Sequence, residues 1–232
     1  MPFLEKQQNP ALAEEQAQFM TKVYLWMTFG LATTAYTSYM AIHSEALLGL
    51  ILGSKMGFYG LLFAELGLVV VISAFLRKMS AFMATSLFFV YALLNGLTFS
   101  VIFWAYTSQS IVNAFGITAG MFAGLSAFGF ITKRDLSAMG AFMISALFGL
   151  ILGMVVNLFL HNGLLDLVLS LSAVVIFSGL IAYDTQKIKS LNAPGLIGTE
   201  DGQKYAIFGA LTLYLDFINL FLNLLRLTGR RR

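Results

Sequence analysis

Two aspartates, Asp184 and Asp216, stand in the two most C-terminal apolar stretches of the chain, within LIAYDTQKIK and LTLYLDFINLFLNLLR. A carboxylate at membrane depth is costly and is rarely kept without a partner or a task. If the two meet away from water, they cannot both be ionised comfortably, and the proton they retain belongs to the pair. Such a pair changes its hydrogen bonds when pH changes, which is what a pH-sensitive gate requires. The same oxygens are hard ligands of the kind calcium prefers, so Asp184 and Asp216 are also the candidate metal contacts.

Other polar groups surround this pair in the sequence. Thr212, Asp216, Asn219, Asn223 and Arg226 follow spacings of four, three, four and three, which puts them along one helix face. A polar stripe of that length cannot face lipid. Asn219 and Asn223 are therefore candidates for an ion pathway, with hydrogen bonding between helices as the alternative. For Asp216 that alternative is weaker, because asparagine would do the same at lower desolvation cost. Glu65 lies in the second apolar stretch, about 12 Å from its outer end at 1.5 Å per residue. Arg77 closes the same stretch on the opposite side and could pair with the charged aspartates. Asn95 and Asn157 read as packing donors, and Asp166 as a solvated residue at an outer mouth.

The elements that must hold these residues follow from composition. Of 232 residues, 59% are hydrophobic and 11% charged, with a mean hydropathy of +0.83. A soluble domain is about a quarter charged. Repeated apolar runs of about 20 residues mark an all-α polytopic membrane protein. Seven spans are expected at about 23–42, 57–76, 81–103, 111–131, 138–160, 164–186 and 205–227, with a Pro/Gly-containing loop from Ser190 to Lys204. The domain division is a cytoplasmic N-terminal segment, 1–22, and a seven-helix transmembrane domain, 23–232. The segment MPFLEKQQNPALAEEQAQFMTK has no signal-peptide pattern, so the first apolar run is expected to be retained.

With the N-terminus in the cytoplasm, Lys6, Lys22, Arg77, Lys78, Lys133, Arg134, Lys187, Lys189 and Lys204 fall inside, and only Lys55 outside. The tail opposes that bias, since seven crossings put Arg226, Arg230, Arg231 and Arg232 outside. Either the last helix crosses because it is enclosed in protein, or it re-enters. Gly116, Gly120 and Gly124, with Gly149 and Gly153, have the four-residue spacing that lets helices approach in lipid. No cysteine is present, which excludes thiolate chemistry and disulfides, and His43 and His161 are too far apart in sequence to suggest a metal site. Basic residues are scattered through loops, a pattern of membrane topology and not of nucleic-acid binding. No serine–base or metal-ligand pattern supports an enzyme.

The segments AYDTQKIK and GALTLYLDFINLFLNLLR, with FGITAGMFAGLSAFGFITKRDLS, are similar to the signature of the Bax inhibitor-1 family, also called the transmembrane Bax inhibitor motif proteins. The likeness covers essentially the whole chain and is nearest the bacterial branch. It implies seven transmembrane helices with the last helix central, surrounded by the other six, in a bacterial inner membrane. It further implies that Asp184 and Asp216 form the pH sensor of a calcium-leak pathway, that Arg77 latches to Asp184, and that Glu65 lies along the pore. The expected contacts are the lipid bilayer, calcium and protons, with no tightly bound cofactor. The alternative is a regulatory membrane protein that modulates a partner such as a membrane protease or a cell-death factor. Its contact surface would be the N-terminal 22 residues, where Glu14, Glu15, Gln16 and Gln18 suggest an exposed helix. An intramembrane hydrolase and a proton-coupled transporter are weaker readings.

Overall fold

The structure is a computed structural model that describes residues 10–53, 55–192 and 194–232. Lys6 and the first nine residues of the expected cytoplasmic segment lie outside the described residues, as does the side chain of Lys55. The described residues form eight α-helices: α1 (Pro10–Ile42), α2 (Glu45–Leu52), α3 (Lys55–Phe75), α4 (Ala81–Ala105), α5 (Ser108–Ile131), α6 (Ser137–Leu160), α7 (Gly163–Leu191) and α8 (Glu200–Thr228). A 3-10 turn, Leu76–Lys78, follows α3.

Local sequence explains the boundaries. Pro10 opens α1, where its missing N–H and fixed φ do no harm. The Ser44 side chain accepts from Leu47 N at the start of α2, and that of Thr107 accepts from Ser110 N at the start of α5. His161 ends α6 in the left-handed conformation, at φ 50°. Between α7 and α8, Gly195 and Gly198 take φ of +79° and +85°, which only glycine adopts without strain. The loop is shorter than expected because α8 begins at Glu200, ahead of Lys204. That first turn has a partner to hold it, since the Glu200 carboxylate accepts from Ala81 N at 3.0 Å and so caps α4.

Among the described residues, six helices are long and apolar enough to cross a membrane: Met56–Lys78, α4, α5, α6, α7 and α8. The first expected span is present as a helix, but the threonines and tyrosines in TFGLATTAYTSYM leave it less apolar than the six. Thr21, Thr28 and Thr33 each donate to a carbonyl one turn back at 2.8 Å, which covers part of that polarity within the helix. Of the six, α8 is the most buried, with 67% of its apolar stretch enclosed against 39% at most elsewhere.

The chain divides into two compact units, Met1–Ala105 with Ile188–Tyr214, and Tyr106–Lys187 with Leu215–Arg232. In the first, α1 packs chiefly along α4. Gly30 meets the Phe88 ring and Gly96 meets the Thr34 carbonyl, so a side chain at either would collide. In the second, α5 and α6 pack on α7 through glycines. A Cβ on Gly129 would lie 2.2 Å from the Ala182 carbonyl oxygen, and one on Gly140 would lie 2.4 Å from the Tyr183 ring. The stripe expected to pack is different. Gly116, Gly120, Gly124 and Gly149 face open space, and only Gly153 meets a neighbour, Leu169. Four-residue spacing defines a helix face but not the direction in which it turns. This one turns outward.

Candidate functional site

The second unit holds the aspartate pair. Asp184 stands seven residues before the end of α7, and Asp216 near the middle of the 29-residue α8. Their side chains lie close enough for each carboxyl group to feel the other. Asp216 is only 6% exposed, and its Oδ2 finds no partner among the described residues. Asp184 is half-buried and feels the positive charge of Lys187, one turn further along α7. Packing fixes the geometry from both sides. Gly129 and Gly140 let α5 and α6 press against Ala182 and Tyr183, and the Ser126 and Thr185 hydroxyls share a hydrogen bond at 2.9 Å. Gln186 accepts from Leu136 N at 2.9 Å and donates to the Arg134 carbonyl at 2.8 Å, tying the α5–α6 turn to the same stretch of α7. On α8, the Phe217 ring stands edge-on to Phe115 and Phe122, at 5.4 and 5.7 Å.

A hydrogen bond between two carboxyl groups needs a proton on one of them, because an ionised carboxylate has no donor. A direct hydrogen bond across this pair therefore requires a retained proton. Two carboxylates offer calcium hard oxygens, but a resident calcium site takes six to eight. Among the described residues there is no group of three or more His, Cys, Asp or Glu side chains placed to hold a metal ion.

The polar stripe of α8 is largely self-satisfied. Asn219 donates to the Leu215 carbonyl and Asn223 to the Asn219 carbonyl, each at 2.8 Å, and Thr212 donates to the Phe208 carbonyl at 3.0 Å. The asparagine donors thus bond within their own helix. Arg226, at the end of the stripe, pairs with Asp166 of α7 at 3.2 Å. Nothing in the sequence flagged that pair, since its members are sixty residues apart.

Glu65 and Arg77 belong to the first unit. Glu65 is 8% exposed and accepts hydrogen bonds from the Thr98 hydroxyl and, at 3.3 Å, from the Asn95 amide of α4. The same amide donates to the Tyr91 hydroxyl at 3.1 Å. The Tyr91 ring stands edge-on to Tyr214 at 5.7 Å, and the Tyr214 hydroxyl shares a 2.7 Å hydrogen bond with Thr34. Asn95 is thus a partner of Glu65 and not merely a packing donor. The available signal was the spacing of Tyr91, Asn95 and Thr98, four and then three residues apart on one face of α4. Glu65→Leu would leave the Thr98 and Asn95 donors without an acceptor, at a cost of about 1–3 kcal/mol. The thermal unfolding midpoint in detergent should fall for Glu65→Leu, while Glu65→Gln, which keeps an acceptor, should fall less. Arg77 is exposed and borders a cavity of about 300 Å³ with Asp201, Lys204 and Tyr205.

Comparison with known proteins places this arrangement. Residues 16–232 match the family model described as Inhibitor of apoptosis-promoting Bax1. The chain is 46% identical over 217 residues to Inner membrane protein YbhL of Escherichia coli strain K12, covering 92% of each chain. A Deinococcus radiodurans protein is 43% identical over 213 residues, 92% of this chain and 90% of that one. A membrane protein of Streptococcus pyogenes serotype M3 is 39% identical over 215 residues, 92% and 93% of the two chains.

Proposed function

This chain belongs to the Bax inhibitor family of membrane proteins, and from that premise we propose that it is a pH-sensitive, calcium-permeable leak gated by the Asp184–Asp216 pair. The membrane is a bacterial inner membrane, as the name of the Escherichia coli relative suggests. Seven helices span it, with α1 as the first, its N-terminus cytoplasmic and α8 enclosed by the rest. The bias of basic residues and the burial of α8 favour that arrangement. Calcium and protons are the ligands, and the protein is not an enzyme.

One observation carries the reading: two neighbouring carboxyl groups, one of them almost fully buried. When the shared proton leaves, two charges remain in a poorly solvated place, and they must separate or recruit a cation or water. A passing calcium ion suits that demand. Glu65, Asn219 and Asn223 are the further polar groups assigned to the ion path. Arg77 takes the role that the family likeness implies, a latch on Asp184. The test is calcium flux into proteoliposomes across a pH series. If Asp184→Asn with Asp216→Asn leaves flux and its pH response unchanged, the proposed gate is wrong.

A regulatory role is the second reading, favoured by the first turns of α1. There Leu12, Phe19 and Met20 are buried, while Glu14, Ala17, Gln18, Thr21 and Lys22 are exposed on the other face. That face offers a surface for a membrane protein partner. Deleting residues 1–20 should then abolish partner capture while sparing flux, and loss of flux alone would count against it.

A further inference from the structure

At the end of the second unit where α6 gives way to α7, an open cavity of about 500 Å³ is bordered by Asn157, His161, Asn162, Asp166, Arg226 and Arg231. We propose that this cavity binds the phosphodiester headgroup of an anionic lipid. The proposal rests on the reading that the chain spans a membrane, but not on calcium flux.

Charge is the first argument. Two guanidinium groups and one carboxylate line the cavity, a balance of one positive charge, which a phosphodiester's single negative charge matches. Arg226 meets Asp166 through Nη1 alone, at 3.2 Å. A guanidinium has five N–H donors in a planar fork suited to phosphate, so most of them remain for a ligand. Asn157 accepts from Asn162 N through Oδ1 at 3.0 Å, which orients its NH2 group as a further donor.

The site is also preorganised. Arg231 is not carried on a loose tail. It forms an antiparallel bridge with Tyr106, next to which Thr107 N donates to the Arg230 carbonyl at 3.1 Å. Arg230 N in turn donates to the Ser110 hydroxyl at 2.9 Å. Gly229 permits the approach, since a Cβ there would lie 2.7 Å from the Tyr106 ring. A cation held by its backbone loses less freedom on binding than one on a flexible segment.

The apolar side of the cavity selects a lipid over a free anion. Met154, Leu158 and Leu169 form the apolar side of the cavity, and the adjoining faces of α6 and α7 expose Phe159 at 77% and Leu164 at 71%. A headgroup in the cavity would leave its acyl chains against those side chains. The arginines that the positive-inside rule disfavours at this end would then be neutralised by lipid phosphate.

The test is native mass spectrometry of the full chain released from micelles doped with phosphatidylglycerol or phosphatidylcholine, with inorganic phosphate as a competitor. Phosphatidylglycerol should be retained in preference to phosphatidylcholine. Arg231→Gln should weaken that retention by about tenfold, the loss of one charge-assisted contact. Asp166→Asn should strengthen it, because it removes the only negative charge of the lining. Equal retention of the two lipids, or equal retention by wild type and both variants, overturns the proposal. Inorganic phosphate that competes as well as phosphatidylglycerol assigns the site to a free anion and overturns the lipid source. Calcium flux measured on the same preparations reports on the gate separately, so failure of one reading leaves the other standing.

Discussion

Asparagine at either Asp184 or Asp216 is expected to flatten the pH response of calcium flux as completely as asparagine at both. Two carboxyl groups this close and this poorly solvated titrate as a pair, so the proton they retain belongs to neither residue alone. Replacing one member removes the doubly charged state, which is the state that forces the contact apart. An asparagine NH2 can donate to the carboxylate that remains, so the contact survives without titrating. The substitution is also mild for packing, because asparagine has nearly the size and shape of aspartate. Flux from pH 5 to 8 for both single variants and the double variant decides the matter. Sites that act as a unit give strongly non-additive effects. If each single variant loses about half the response and the double loses all of it, two independent groups are at work and the shared proton is not the sensor.

Gly129→Ala should be among the most destabilising single-methyl additions to the chain, and Gly120→Ala on the same helix should be stabilising. At Gly129 the new Cβ would lie 2.2 Å from the Ala182 carbonyl oxygen, a backbone atom that cannot rotate away. The two helices must move apart, and overpacking of this kind costs about 1–3 kcal/mol. At Gly120 nothing lies within 4 Å, so alanine gains up to about 1 kcal/mol of helix propensity without a clash. Unfolding midpoints in detergent should therefore shift in opposite directions. Ala182 is two residues from Asp184, so Gly129→Ala should also change the pH response of flux, while Gly120→Ala should leave it intact. Equal midpoints for the two variants would mean that α5 and α7 do not pack as described.

What the sequence made legible was whatever depends on local composition. The helices from α3 to α8 begin and end within a few residues of the apolar runs, apart from the early start of α8 and the longer end of α7. A carboxylate is conspicuous among leucines and phenylalanines, which is why Asp184 and Asp216 could be singled out. Their antiparallel helices made the contact permissible, and packing through Gly129 and Gly140 supplies what spacing alone could not. Direction was the hidden quantity. The glycines of α5 at four-residue intervals share a face, but whether that face meets a helix or lipid depends on every other residue around the circumference. Arg226 and Asp166 meet across sixty residues, and no local pattern announces such a pair. The amphipathic first turns of α1 were foreseen only as an exposed helix, because the buried side set by Leu12, Phe19 and Met20 depends on what it packs against.

The backbone bridge between Tyr106 and Arg231 carries a consequence for the order of assembly. Thr107 and Ser110 are synthesised more than a hundred residues before Arg230, so the start of α5 must wait for its partners until α8 has been made. Closing so long a loop carries an entropic cost that rises only slowly with length. The penalty is thus chiefly one of time: the start of α5 remains an open end until Arg230 and Arg231 arrive, and these two residues are the latch that shuts it.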